Sequence, residues 1–122
     1  MTKAELDYIL QRYRIIKKAM KEKKHSISFY IGKRKEVIVI DDKIKAVFSI
    51  INDLMHHEKP MVVSIMRYWF KLGYGDIRIL SMVPLSRSSY YRIKRTIENK
   101  IYQCCIFRGL VSYDELMNER IG

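Results

Sequence analysis

Glycine and proline are scarce, with 5 Gly and 2 Pro in 122 residues. So few turn formers argue for helices over a turn-rich β sandwich. Cysteine is limited to the adjacent pair Cys104 and Cys105. Neighbouring cysteines rarely bridge one another, because the ring they would close is strained. With no signal peptide recognised, they read as reduced thiols of a cytoplasmic protein. No apolar run is long enough to cross a bilayer, so no membrane partner is expected. Histidines occur only at 25, 56 and 57. His56 and His57 have no neighbours to complete a metal site and read as polar residues at a helix end. There is no Gly-rich phosphate loop and no paired set of metal ligands. Tyr90 and Tyr91 beside Arg92 suggest a tyrosine recombinase only superficially, since that chemistry needs a histidine and several more basic residues converging from a larger fold. The expectation is a protein with no catalytic residue, no metal and no cofactor.

Acidic residues are the other shortage: 13 Asp+Glu against 24 Lys+Arg, a formal net charge of +11. Such a field attracts polyanions, nucleic acid first and anionic membrane second. The excess is uneven. Residues 1–35 carry 11 basic and 3 acidic residues, 36–75 carry 5 of each, and 76–122 carry 8 and 5. The middle therefore reads as packing material between two basic regions. Hydrophobic residues make up 48% of the chain and are well mixed with charge, enough to fill a core and unlike a disordered composition.

The first helix is signalled by Thr2 with Glu5 three residues on, a capping-box pattern. Leu6, Ile9, Tyr13, Ile16 and Met20 follow at steps of three and four, forming one stripe. The acidic residues near its start and the lysines near its end suit the helix dipole. About three heptads is the minimum for reading a coiled coil, and the stripe is near that limit. Docking onto the domain and homodimer formation through this N-terminal helix both remain open.

Residues 26–40 have another texture. Ile27, Phe29 and Ile31 alternate with Ser26, Ser28 and Tyr30, then Gly32-Lys33-Arg34-Lys35 leads into Glu36-Val37-Ile38-Val39-Ile40. This fits a small β-hairpin with a basic tip, serving either as a phosphate contact or as an extended connector with a solvated turn. Asp41 or Asp42 then caps a helix with Ile44, Val47, Phe48, Ile51, Leu54 and Met55 inward. Pro60 opens the next at its first position, with Val62, Ile65, Met66 and Trp69 as its inner face and Gly73 as its stop.

From Gly75 to about Cys105 the pattern is that of a helix-turn-helix. Asp76 begins a short helix with Ile77, Leu80 and Met82 or Val83 inward. Pro84 prevents continuation, Leu85 lies in the turn, and Ser86 caps the next helix. At about 100° per residue, Tyr90, Ile93 and Ile97 fall within about 60° of one another and form a packed face. Ser88, Tyr91, Arg92, Arg95 and Asn99 fall opposite, with Arg87 and Lys94 on one flank and Ser89 on the other. These eight are the candidate DNA-binding residues. Small residues admit close approach to a groove, arginine can give two hydrogen bonds to guanine, and flanking cations meet phosphates. The free N–H groups at the helix start can also meet a phosphate. A basic face retained only for solubility is the bland alternative.

The run Met66-Arg67-Tyr68-Trp69-Phe70, Leu72-Gly73, Asp76-Ile77 and Leu85 through Arg95 resembles the last region of bacterial sigma factors. It is more similar to the small phage transcriptional activators of the ArpU and RinA type, over roughly Asp41 to Gln103. The resemblance implies a late-gene activator that binds double-stranded promoter DNA and assists the host RNA polymerase. Two residues depart from the pattern: Leu80, where a small residue usually separates the helices, and Pro84, where Gly or Asn is common. A large Leu80 would spread the helices or change their crossing.

The expected fold is mainly α: a basic N-terminal helix and hairpin arm over 1–40, a helix-turn-helix domain over 41–106, and a tail over 107–122. In the tail, Ser112 would cap a short helix with Tyr113, Leu116 and Met117 on one side. A phage DNA-packaging protein of small-terminase type, and a protein-interaction module with an acidic partner, are the alternative functions.

Overall fold

A computed structural model describes residues 1–121, and the side chains of residues 1–118. In chain order the elements are α1 (Lys3–Gln11), α2 (Tyr13–Lys21), β1 (Ser26–Ile31), β2 (Arg34–Val39), α3 (Asp42–His57) and α4 (Pro60–Met66). After α4 comes a π-helical turn (Arg67–Lys71), then α5 (Asp76–Met82), α6 (Arg87–Phe107) and α7 (Tyr113–Ile121). The fold is mainly helical with one antiparallel hairpin, as the sequence suggests.

Local signals set the helix starts. The Glu5 amide donates to Thr2 Oγ1 at 3.1 Å, the Ile44 amide to Asp41 Oδ1 at 3.0 Å, and the Glu115 amide to Ser112 Oγ at 3.2 Å. Each satisfies a backbone donor that the helix itself cannot. Pro60 takes the first position of α4, where its missing N–H is harmless.

The first amphipathic segment is not one helix. Arg12 leaves helical geometry at φ −112° and ψ 17°, dividing it into α1 and α2. Its guanidinium folds back on α1, donating to the Tyr8 carbonyl at 3.3 Å and lying 3.7 Å from the centre of the Tyr8 ring. The stripe nevertheless survives: Leu6, Ile9, Tyr13 and Ile16 are buried, with Leu10 and Ala19 added. Tyr13 stacks on Phe48 of α3 with centroids 4.2 Å apart and meets Phe70 at 5.0 Å. The stripe is thus docked inside the molecule. Dimer formation through that face loses the surface it would use.

In the hairpin Ile27 pairs with Ile38, Phe29 with Glu36, and Ile31 with Arg34. Gly32 and Lys33 form a two-residue turn, with Gly32 at φ 62° in the position that hairpin turns give to positive φ. Ile38 and Ile40 join the core; Ile31, at the tip, is exposed. One apolar cluster runs from Met1 to Cys105, so the first forty residues and the following helices share a core.

The π-helical turn changes which side chains point inward. The Leu72 amide donates to the Arg67 carbonyl at 3.1 Å, five residues back rather than four. The extra residue rotates the phase. Phe70 becomes fully buried, while Trp69, expected inside, is half-buried and stacks on Phe70 at 4.3 Å. In α5 Ile79 is buried, as is Val83 just after it, and Ile77 is 86% exposed, reversing the expected assignment of Ile77. Two turns carry too few apolar positions to fix a phase, and Ile79 is the residue that reaches the core. Met82 is exposed as well, and in α7 Tyr113 turns outward, away from half-buried Leu116 and Met117.

Candidate nucleic-acid interface

The short helix α5, the turn 83–86 and the long helix α6 follow one another as expected of a helix-turn-helix. Ser86 begins α6: its Oγ accepts from the Ser89 amide at 3.2 Å and donates to Ser89 Oγ at 2.9 Å. Pro84 is exposed in the turn and Leu85 half-buried. Leu80 is half-buried, and the neighbouring Ile79 takes the fully enclosed position.

Two different demands act along α6. Ile97, Ile101, Tyr102 and Cys105 are buried, and the helix packs on α3 and α4. Burial pushes the Cys105 thiol up to about 11, so it is a packing residue rather than a nucleophile. Near the helix start only Tyr90 is fully buried, and Ile93, expected in the packed face, is half-buried.

Tyr90 has a polar partner. Its hydroxyl donates to Asp76 Oδ1 at 2.7 Å, and Lys94 Nζ donates to the same oxygen at 2.8 Å. Asp76 therefore ties the first turn of α5 to the first two turns of α6. Partial burial works against its charge, but the two hydrogen bonds and the lysine's charge outweigh this and hold its carboxyl below the ordinary 3.8. Burial and the carboxylate together raise the Tyr90 hydroxyl well above its usual range. Lys94 also lies 4.7 Å from the centre of the Trp69 ring and keeps only 21% of its side chain exposed. It is thus engaged within the protein.

The other candidates are placed as follows. Arg87, Ser88, Arg92 and Arg95 are exposed, and the three arginines have no ion pair among the described residues. Arg87 lies 5.9 Å from the centre of the Tyr91 ring, and Tyr91 stands edge-on to Tyr90 at 5.1 Å. Ser89 is half-buried and belongs to the cap. Arg92 also borders a cleft of about 110 Å³ whose floor is Leu54, Val62, Met66 and Ile97. Asn99 is exposed, but its Oδ1 accepts from Lys3 Nζ of α1 at 3.4 Å. The structure so brings together Arg87, Ser88, Tyr91, Arg92 and Arg95 on one accessible face. It sets Lys94 and Asn99 in contacts with other elements.

Asp76 is the residue that the sequence reading passed over, taken there only as a helix start. Its partners stand 14 and 18 residues away, a separation with no periodic signal. Among the described residues no group of acidic, histidine or cysteine side chains is arranged to hold a metal ion. No helix among them is long and apolar enough to cross a membrane. No family model, curated protein or solved structure matches this chain.

Proposed function

We propose that the protein binds double-stranded DNA in a sequence-specific manner, entering the major groove with the N-terminal half of α6, and acts in transcription. The observation that carries this reading is the outer face of α6. Arg87, Arg92 and Arg95 extend from it unpaired, and Ser88 leaves room for close approach to base edges. Behind that face, Tyr90, Asp76 and Lys94 fix the helix relative to α5. Rigid support of this kind holds the helix in place, so that less ordering of the backbone is needed when its outer face meets a groove.

The net charge of +11 supplies the long-range attraction. The resemblance over Met66 to Arg95 extends the reading to a phage late-gene activator working with the host RNA polymerase. Footprinting the purified protein on the DNA around its own gene tests this. A protected promoter patch is expected, with contacts in the major groove. Uniform weak protection with no preferred site would contradict it. Ring-shaped oligomers in solution, with affinity near a packaging start, would instead favour the packaging alternative.

A further inference from the structure

A second group of basic residues lies on α2 and the π-helical turn. Gly73 ends the π-helical turn at φ 68°, and α2 crosses so close that a Cβ there would lie 2.7 Å from Arg14 Cδ. One helical turn along α2, Lys17 is half-buried, and burial first, then the like charges of Lys21 and Lys71, lower its pKa; α2 packs against the π-helical turn that carries Lys71. Arg14, Lys17, Lys21 and Lys71 have no carboxylate partner among the described residues. Gathering unpaired like charges is unfavourable for an isolated fold. A run of phosphates relieves it. The same five-residue turn that carries Lys71 carries Trp69, against which Lys94 of α6 rests. The basic surface and the start of α6 are therefore braced on one element.

We propose that Arg14, Lys17, Lys21 and Lys71 form a second contact surface for the phosphate backbone of the duplex that α6 reads. The inference rests on the duplex-binding reading above and deepens it. α6 supplies base contacts, and this surface supplies sequence-independent anchoring. Neutralising phosphates releases counterions, so each contact adds about 0.9 to the slope of log affinity against log salt.

The test is a fluorescence-anisotropy titration of a mixed-sequence duplex over a salt series. It compares the unmodified protein, Arg14→Gln/Lys17→Gln/Lys71→Gln, each of the three single variants, and Arg92→Ala. Thermal unfolding checks that each variant keeps its fold; should the triple variant fail this check, the single variants carry the test. The triple variant should reduce the slope by about 2.7 and each single variant by about 0.9. An unchanged slope in folded triple or single variants overturns the second surface, and leaves the α6 reading standing if Arg92→Ala still weakens binding. A reduced slope alongside unaltered Arg92→Ala affinity supports the second surface and counts against α6. Binding to phosphatidylserine vesicles but not to the duplex overturns both.

Discussion

Asp76 receives two donors from α6, and its removal is the sharpest residue-scale test of how the recognition face is held. In Asp76→Ala, the buried Tyr90 hydroxyl loses its acceptor and Lys94 its counter-charge. A loss of about 1–3 kcal/mol in unfolding free energy is expected from the unsatisfied hydroxyl alone, measurable by urea denaturation. The folded-state pKa of Asp76 lies below the ordinary 3.8. Its contribution is therefore fully present above 3.8 and is lost as pH falls through the lower folded value. Asp76→Ala should accordingly show a shallower loss of stability below pH 4 than the unmodified protein. Glu98 behaves in the opposite sense. Burial first, then Asp7, raises its pKa above the ordinary 4.5. Its carboxyl favours the folded state when protonated, and that contribution is lost as pH rises. Glu98→Gln should raise the melting temperature at pH 7, with the gain disappearing below about pH 4. An equal gain at both pH values would contradict this assignment.

At the scale of elements, caps and turns were legible because each is a local bargain between a side chain and the nearest backbone groups. Thr2, Asp41, Pro60, Ser86 and Ser112 all stand where their residue types imply, and the alternation of 26–40 yields the hairpin. Phase was less legible. A reading at a constant helical pitch puts Trp69 inside, whereas the π-helical turn inserts one residue and buries Phe70. The break at Arg12 was hidden for a related reason: the stripe continues across it, so apolar spacing alone carries no sign of it. Two element-scale outcomes follow. Ser86→Ala should reduce stability by about 0.5–2 kcal/mol, with Ser86→Asp restoring most of it. Gly32→Ala and Gly73→Ala both force alanine into left-handed backbone, at a cost of about 1–2 kcal/mol. Gly73→Ala should be the more damaging of the two, because Gly32 faces open space while a Cβ at 73 meets Arg14. Chemical denaturation of the pair checks the order.

For the whole molecule, the sequence divides more readily than the core does. Charge and texture mark residues 1–40 as an arm, yet Tyr13 stacks on Phe48 and meets the tilted ring of Phe70, and Ile38 and Ile40 are buried in the same cluster as α6. Such contacts depend on long-range packing that no local pattern encodes. A fragment beginning at Asp41 should therefore fail to unfold cooperatively on heating, and a cooperative transition in that fragment would make the arm dispensable. The candidate site was legible to the extent that it depends on one helix: spacing alone puts Ser88, Tyr91, Arg92 and Arg95 on one face, with Arg87 at its flank. Lys94 and Asn99 share the helix but are drawn to Asp76 and Lys3, partners supplied by α5 and α1. The measurement that bears most directly on the exposed face of α6 is the affinity of Arg92→Ala and Arg95→Ala for the footprinted duplex and for single-base variants of it. Each substitution should weaken binding by about 1–3 kcal/mol and relax the preference at one base pair. Full affinity with base preference intact in both variants would mean that α6 does not read the DNA.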